Sequence, residues 1–416
     1  MLAVLAGLTP ADVEVVLYDD RMESIPYDEA TDLVAITVET YTARRAYEIA
    51  KEYRVRGIPV IMGGMHVTLL PDEAAQHADS IFIGDAESLW RSVVADARRR
   101  KLKPRYAAPP GIAQYGGTLP RCDLYKGKGY LPISLMQFTR GCRFACSFCA
   151  VSKYFDRKHY IRRIDEVIRE ISEQNRKFIF FIDDNIATER TALRDLCREL
   201  IPLRINWISQ ASLDVTKDQN LMKAMADSGC IGHVMGFETI TPESLKDARK
   251  APNIPGFSNY ENEVRILREY GMQTWAAFTL GYDNDTVDSI LATMEFALRS
   301  KFTFAAFNIL MPYPNTPLYA KLEKEGRLLY DGKWWLHPEY RFNQAAFIPK
   351  TMTPDELSDA CHQARKKFNS IISLMYRFSD VKTNVKTLWR AASYWRYTTL
   401  FRKELYKKHK MRFGLK

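Results

Sequence analysis

Thr139-Arg140-Gly141-Cys142-Arg143-Phe144-Ala145-Cys146-Ser147-Phe148-Cys149 decides how this chain is read. The segment follows a β-rich apolar run, Ile133–Phe138, and its cysteines are spaced C-x3-C-x2-C. A structural zinc site would want a fourth ligand, usually from another close pair, and none follows. Three thiolates in one short loop suit a cubane iron–sulfur cluster, with three irons held by the protein and one corner left open. The competing reading is a closed zinc knot or three packing cysteines. Cys122, Cys197, Cys230 and Cys361 have no ligand spacing. Seven cysteines in 416 residues are too few for a disulfide scaffold, so the pattern is that of a metal site in a reducing compartment.

Downstream of the loop, strand signals recur at Phe178–Ile182, Asn206–Ala211, Ile231–Phe237, Gln273–Leu280 and Phe304–Leu310. Amphipathic stretches near 163–174, 190–200, 217–228, 258–270, 286–299 and 316–325 separate them. Six βα units, counting Ile133–Phe138, are too few for a closed eight-fold barrel and fit an open, partial one. The cysteine loop then lies on the face where such folds keep their chemistry.

Upstream, Val13–Tyr18, Leu33–Val38, Val60-Ile61-Met62 and Ser80–Ile83 read as strands, with helices at 42–56 and 87–99. Strands alternating with helices imply a parallel sheet. Its ligand-facing ends are Thr37–Tyr41, Gly63–Thr68 and Gly84–Glu87. The chain opens inside what reads as the first helix, so the usual first strand is missing. The expected fold class is α/β. An incomplete Rossmann-like domain spans 1–105 and a linker rich in Pro and Gly (Pro109, Pro110, Gly116, Gly117) spans 106–132. A partial (β/α)6 barrel follows over 133–350, then a basic helical region over 351–416.

Composition is that of a soluble globular protein, 46% hydrophobic and 26% charged. No apolar run approaches the roughly 20 residues that span a bilayer, and Met1–Ala6 lacks the basic start of a signal peptide. The cytoplasm is the default location. Net charge is +10, but residues 361–416 carry 15 Lys or Arg against Asp380 and Glu404. There Trp389, Tyr394, Trp395, Tyr397, Phe401, Tyr406 and Phe413 interleave with Arg390, Arg396, Arg402, Lys403, Lys407, Lys408 and Lys410. That mixture suits a packing helix with a solvated basic face, or peripheral contact with an anionic membrane. Nucleic acid is the least favoured partner.

The cysteine segment, with Phe148 before its last cysteine, resembles the signature of the radical S-adenosylmethionine (SAM) family. The resemblance implies a [4Fe-4S] cluster on Cys142, Cys146 and Cys149, whose open iron is chelated by SAM. One electron from a flavodoxin- or ferredoxin-type reductase then releases a 5′-deoxyadenosyl radical. It also implies SAM contacts at Phe148, at Asp184 in Phe181-Ile182-Asp183-Asp184-Asn185, at Gln210 and at Glu238 in Gly236-Phe237-Glu238-Thr239. Gly281–Thr286 and Pro312–Pro317 resemble the loops after the fifth and sixth strands. Asn315 stands where the family usually has Gly, and Asn tolerates the left-handed backbone such a turn needs.

Residues 1–100 resemble the cobalamin-binding domain that precedes many of these enzymes. The residues that carry this reading are Thr37, Glu39, Thr40, Tyr41, Gly63, Gly64, His66, Gly84 and Glu87. No Asp-x-His-x-x-Gly segment marks a lower cobalt ligand. The resemblance, covering about residues 1–350, implies cobalamin-dependent methylation of an unactivated carbon of a small-molecule or lipid-like substrate. The alternative is an oxidative or cyclising enzyme whose N-terminal domain binds no cobalamin. A non-catalytic iron–sulfur protein and a tRNA methylthiolating enzyme are further readings; the latter normally brings an extra three-cysteine domain that this chain lacks. No residue is singled out for hydrogen abstraction.

Overall fold

The computed structural model describes residues 2–109, 111, 118–254 and 260–411. Strands β1 (Val34–Thr37), β2 (Val60–Gly63), β3 (Ser80–Ile83) and β4 (Arg105–Ala107) form a parallel sheet in the order 1-2-3-4. β5 (Ser134–Met136) begins a second sheet. β6 (Thr139–Gly141) and β7 (His159–Ile161) pair antiparallel as a ribbon flanking the cysteine loop. β8 (Phe178–Phe181), β9 (Asn206–Ala211), β10 (Cys230–Glu238), β11 (Gln273–Leu280) and β12 (Phe304–Ile309) complete the second sheet. Its order is β5-β8-β9-β10-β11-β12, parallel throughout. The fold is α/β with a six-stranded partial barrel, as its sequence implies.

Alternation sets the barrel's two faces. Along β9, Trp207, Ser209 and Ala211 are buried under the helices, while Asn206, Ile208 and Gln210 are only partly so. β11 repeats this with Thr274, Ala276, Phe278 and Leu280 buried and Gln273, Trp275, Ala277 and Thr279 less so. Side chains of period two point to opposite faces, so the second set looks into the lumen. The helical face carries the core, including Trp207, Phe237, Phe278 and Phe307.

Two expectations fail in the first sheet. Val13–Tyr18 forms no strand. Among the described residues β1 is the edge strand of this sheet and pairs with β2 alone, so Val13–Tyr18 does not join it. The expected linker, in turn, contains β4. Tyr106 of β4 is buried and stacks with Phe82, their centroids 6.3 Å apart. The linker's Pro110, Gly116 and Gly117, and Phe413 at the C-terminus, lie outside the described residues.

The C-terminal region forms helices Pro354–Phe368, Ile371–Phe378 and Leu388–Lys408. Thr353 and Glu356 cap the first reciprocally. The last helix crosses beneath the lumen: Trp389 meets Phe178 at 6.0 Å, and Phe401 meets both Trp275 and Phe304 at 4.9 Å. Arg377, fully buried, fastens this region to the barrel. It donates to the carbonyls of Phe302 (3.0 Å), Thr303 (2.7 Å) and Phe368 (2.9 Å) and to Ser373 Oγ (3.1 Å). Arg377→Ala strands those buried acceptors and is expected to cost about 2–4 kcal/mol in urea unfolding. A loss under about 0.5 kcal/mol would show that the latch carries no load.

Candidate active site

The cysteine loop is fixed from both sides. Asp183, at the end of β8, is buried and accepts from the Phe138 N–H (3.3 Å), the Thr139 N–H and the Thr139 hydroxyl (2.6 Å). Burial pushes its carboxyl up to about 7, against the pull of those bonds. Asp184 accepts from the Gly141 N–H at 2.8 Å, and burial raises its carboxyl too. On the other side Arg140 pairs with Asp85 (3.0 Å) and Glu87 (2.5 Å) of the first sheet. Asp85 also accepts from Tyr154 Oη at 2.7 Å.

The three cysteines are free thiols, Cys146 buried and Cys142 and Cys149 half-buried. Burial raises Cys142 and pushes Cys146 up to about 12; the neighbouring sulfurs add to both. Among the described residues, no group of three His, Cys, Asp or Glu side chains is arranged to hold a single metal ion. Phe148 packs edge-on to Tyr282 at 6.4 Å.

Glu238 has a left-handed backbone (φ 65°) where β10 is irregular. Its carboxylate is not idle: Lys250 Nζ lies 2.7 Å from one oxygen and Thr279 Oγ1 donates to the other at 2.8 Å. Burial opposes the charge of Lys250, but Glu238 and the cysteine sulfurs outweigh it and hold the ammonium protonated. Gly236 makes room for this pair, because a Cβ there would press on Glu238 Oε1 and Lys250 Nζ. Tyr282 Oη is buried with no hydrogen-bond partner, and Glu238, Asp285 and Cys146 bear on its charge. Gln210 stands on the lumen side of β9, and its carbonyl accepts from the Ile186 N–H. Asn315 adopts φ 63°, the left-handed turn expected of it, and donates to the Leu69 carbonyl.

Of the nine N-terminal candidates, Thr37 and Glu39 face the large cavity. Glu39 keeps solvent contact there, yet the surrounding protein pushes its carboxyl up. His66 is fully buried. Its Nδ1 meets Thr40 Oγ1 (3.3 Å), and its Nε2 meets Tyr47 Oη and Glu73 Oε1 (both 3.1 Å). Both ring nitrogens are thus engaged by the protein. Gly64 (φ 109°) is required by the Val38 backbone, which a Cβ would strike, so packing accounts for it. Gly63 closes β2, and Gly84 is buried after β3. Tyr41 packs against Trp334 (4.9 Å) and Tyr313 (5.8 Å), and Glu87 is taken up by Arg140.

The cavity encloses about 3140 Å³. It runs from Thr37 and Glu39 to Arg140 and Asp184, then down the lumen past Phe180, Ile208, Val234, Trp275 and Phe304. Trp389, Tyr397 and Phe401 line its lower end. Arg140, Lys250, Thr279 and Tyr282 are the site residues that sequence reasoning missed. Arg140 sits inside the cysteine motif and was open to suspicion; Lys250, in a turn after Glu238, carries no local signal.

Known proteins resemble the chain as follows. Residues 136–297 match the Radical SAM superfamily. Bacteriochlorophyllide d C-8(2)-methyltransferase of Chlorobaculum tepidum is 30% identical over 345 residues, 78% of this chain and 76% of that protein. The C-12(1)-methyltransferase of the same organism is 28% identical over 395 residues, 92% of this chain and 85% of that one. The solved structure of apo OxsB, a cobalamin-dependent SAM radical enzyme, matches with a TM-score of 0.62 at 15% identity. It covers 91% of this chain and 64% of that one, a likeness of fold.

The loop after β11 yields a pH prediction. Burial would raise Asp283, but Lys321 (2.7 Å), Lys350 (3.0 Å) and Arg327 (2.8 Å) hold it down at about 2. A depressed carboxyl stabilises above its unfolded value near 3.8 and loses that contribution as pH falls through the folded value. Asp283→Asn should therefore lower stability by about 1–2 kcal/mol at neutral pH, with the gap to wild type closing between about pH 4 and pH 2. A gap independent of pH would contradict this assignment.

Proposed function

The chain belongs to the radical SAM superfamily, and we propose that it is a cobalamin-dependent methyltransferase acting on an unactivated carbon of a flat, apolar small molecule, a tetrapyrrole foremost. The observation that carries this reading is the cavity. It joins the strand ends of the first sheet to the residues that hold the cysteine loop, and continues into an apolar lumen.

The donor set fits the family's cofactors. Three thiols share one loop, a lysine ammonium sits among them, and a buried Tyr282 hydroxyl lacks a partner beside them. Cys142, Cys146 and Cys149 would hold a [4Fe-4S] cluster, which when bound supplies the electron for reductive cleavage of SAM. Asp184, whose Oδ2 accepts from the Gly141 N–H, would take the SAM ammonium, and Glu238, oriented by Thr279, would take the ribose hydroxyls. Phe180, Ile208, Trp275 and Phe304 keep water from the reacting carbon, which protects a radical from quenching. Thr37 and Glu39 border the space for a corrin, the methyl carrier in this reading. A one-electron donor of flavodoxin or ferredoxin type completes the set.

One observation favours a second reading, in which the first domain is a scaffold for oxidative or cyclising chemistry. Asp85, Glu87 and His66 are already spent on protein contacts. Anaerobically reconstituted protein from cobalamin-fed cells decides between them. Methyl transfer predicts bound corrin, 5′-deoxyadenosine and S-adenosylhomocysteine. 5′-Deoxyadenosine without corrin or S-adenosylhomocysteine would replace it with the scaffold reading.

We also propose a peripheral membrane contact. No helix among the described residues is long and apolar enough to cross a membrane. Ile371, Ile372, Met375, Tyr376, Val381 and Leu388 are nevertheless exposed, Ile372 at 84% and Leu388 at 92%. Lys366, Lys367, Lys382 and Lys386 flank them in sequence. Of the tail's aromatics, Tyr394 is buried and donates to the Leu374 carbonyl at 2.8 Å, while Trp395 and Tyr406 are exposed. An apolar patch ringed with cations suits an anionic bilayer surface. Affinity for phosphatidylglycerol vesicles, read by co-sedimentation, should fall about thirtyfold or more in Ile372→Glu/Leu388→Glu, at roughly 1–2 kcal/mol for each of the two desolvated side chains. Equal sedimentation of the variant would remove the contact.

A further inference from the structure

Barrels of βα units ordinarily fill their interior with layers of side chains. Here the cavity continues down the lumen to its foot. Apolar side chains line it and yet keep much of their surface bare. Leu135 of β5 is 60% exposed, Trp389 46% and Phe401 37%. Bare apolar surface gathered around one space marks a binding site for an apolar group.

The foot is built by one stripe of the helix Leu388–Lys408. Trp389, Ser393, Tyr397 and Phe401 are spaced by four residues, so they share a face. All four line the cavity. At the two ends of the stripe, Trp389 meets Phe178 at 6.0 Å, and Phe401 meets Trp275 and Phe304 at 4.9 Å. Of the four, only Ser393 is small, so the floor is lowest between the rings of Trp389 and Tyr397. Leu388, which precedes Trp389, is 92% exposed on the outside. The foot of the lumen thus adjoins the exposed apolar patch.

The space is deep and has unlike ends. From Thr279, at the polar end of β11, to Trp275 over the floor is roughly 13 Å, four residues at about 3.3 Å each. Asp184 stands at the upper end, while Phe180, Ile208, Val234 and Phe304 line the way down and Gln273 borders the foot. The charged groups Arg162 and Glu170 on the cavity's border pair with one another at 2.9 Å. A polar ring above a long apolar shaft matches a ligand with a polar head and a hydrocarbon chain.

We propose that the lower lumen is a subsite for a long hydrocarbon chain carried by the substrate, and that Ser393 lets the chain pass the floor. The proposal rests on the small-molecule reading above and deepens it. The reacting end stays among the strand-end polar groups, and the chain takes the space below and displaces water from it.

Linear alkanols probe the subsite without cobalamin or turnover. Octanol and dodecanol are titrated calorimetrically into the cluster-loaded protein. Dodecanol should bind wild type about two hundredfold tighter than octanol, about fourfold for each added methylene. In Ser393→Trp, which fills the low point of the floor, that ratio should fall about tenfold or more. Ser393→Leu repeats the test at smaller volume if the tryptophan variant fails to load its cluster, and Ser393→Ala should keep the wild-type ratio. Ile372→Glu/Leu388→Glu should keep it too, which separates the lumen from the outer patch. A wild-type ratio near one, a ratio unchanged by filling Ser393, or a ratio lost in the outer-patch variant overturns the subsite. If the ratio behaves as expected in protein that binds no corrin and forms no S-adenosylhomocysteine, the subsite stands and the methyltransferase reading falls. Corrin and S-adenosylhomocysteine with a ratio near one give the reverse.

Discussion

The structure depends on how carboxylates hold the short segment Thr139–Gly141. Asp183 and Asp184 take its backbone N–H groups from one side, while Asp85 and Glu87 take the Arg140 guanidinium from the other. The first pair ties the cysteine loop to the next barrel strand. The second ties it to the first sheet. Backbone donors in a loop need partners when buried, and here the partners position three thiols between two domains. Buried pairs of this kind add little to net stability but are costly to break singly. Their return is geometric: the sulfurs, the lumen and the first sheet share one frame.

That frame explains the division of labour. Polar groups concentrate at the strand ends: Asp184, Gln210, Glu238, Thr279 and Lys250. Below them the lumen is lined by apolar side chains, and the last helix brings Trp389 and Phe401 against Phe178, Trp275 and Phe304 at its foot. The aromatic C-terminus thus packs against the barrel through Trp389 and Phe401 and leaves other apolar side chains, Ile372 and Leu388 among them, exposed.

Much of this was legible in the sequence because the chemistry is local there. Cys142, Cys146 and Cys149 fall within one loop, and the strand-end positions of Asp184, Gln210 and Glu238 are marked by the β-runs before them. Asn315 was legible because few side chains accept its backbone angle. What escaped is non-local. Nothing near Arg140 announces Asp85 and Glu87, some fifty residues upstream, and nothing near Glu238 announces that Lys250 and Thr279 occupy it. Val13–Tyr18 misled because β-propensity describes a residue's fit to a pleated surface, while a strand also needs a neighbour. The partners of His66, Thr40, Tyr47 and Glu73, are likewise invisible from its glycine-rich loop, and at Gly64 a close backbone and a close cofactor ask for the same residue.

Mössbauer spectroscopy of iron-57-loaded, oxygen-free protein, with and without SAM, tests the central claim most directly. The account predicts about four irons per chain in one cubane, with the signal of a single iron moving when SAM is added and the signal abolished by Cys146→Ala. A mononuclear zinc site in place of the iron, or a cubane whose four irons all ignore SAM, would contradict it.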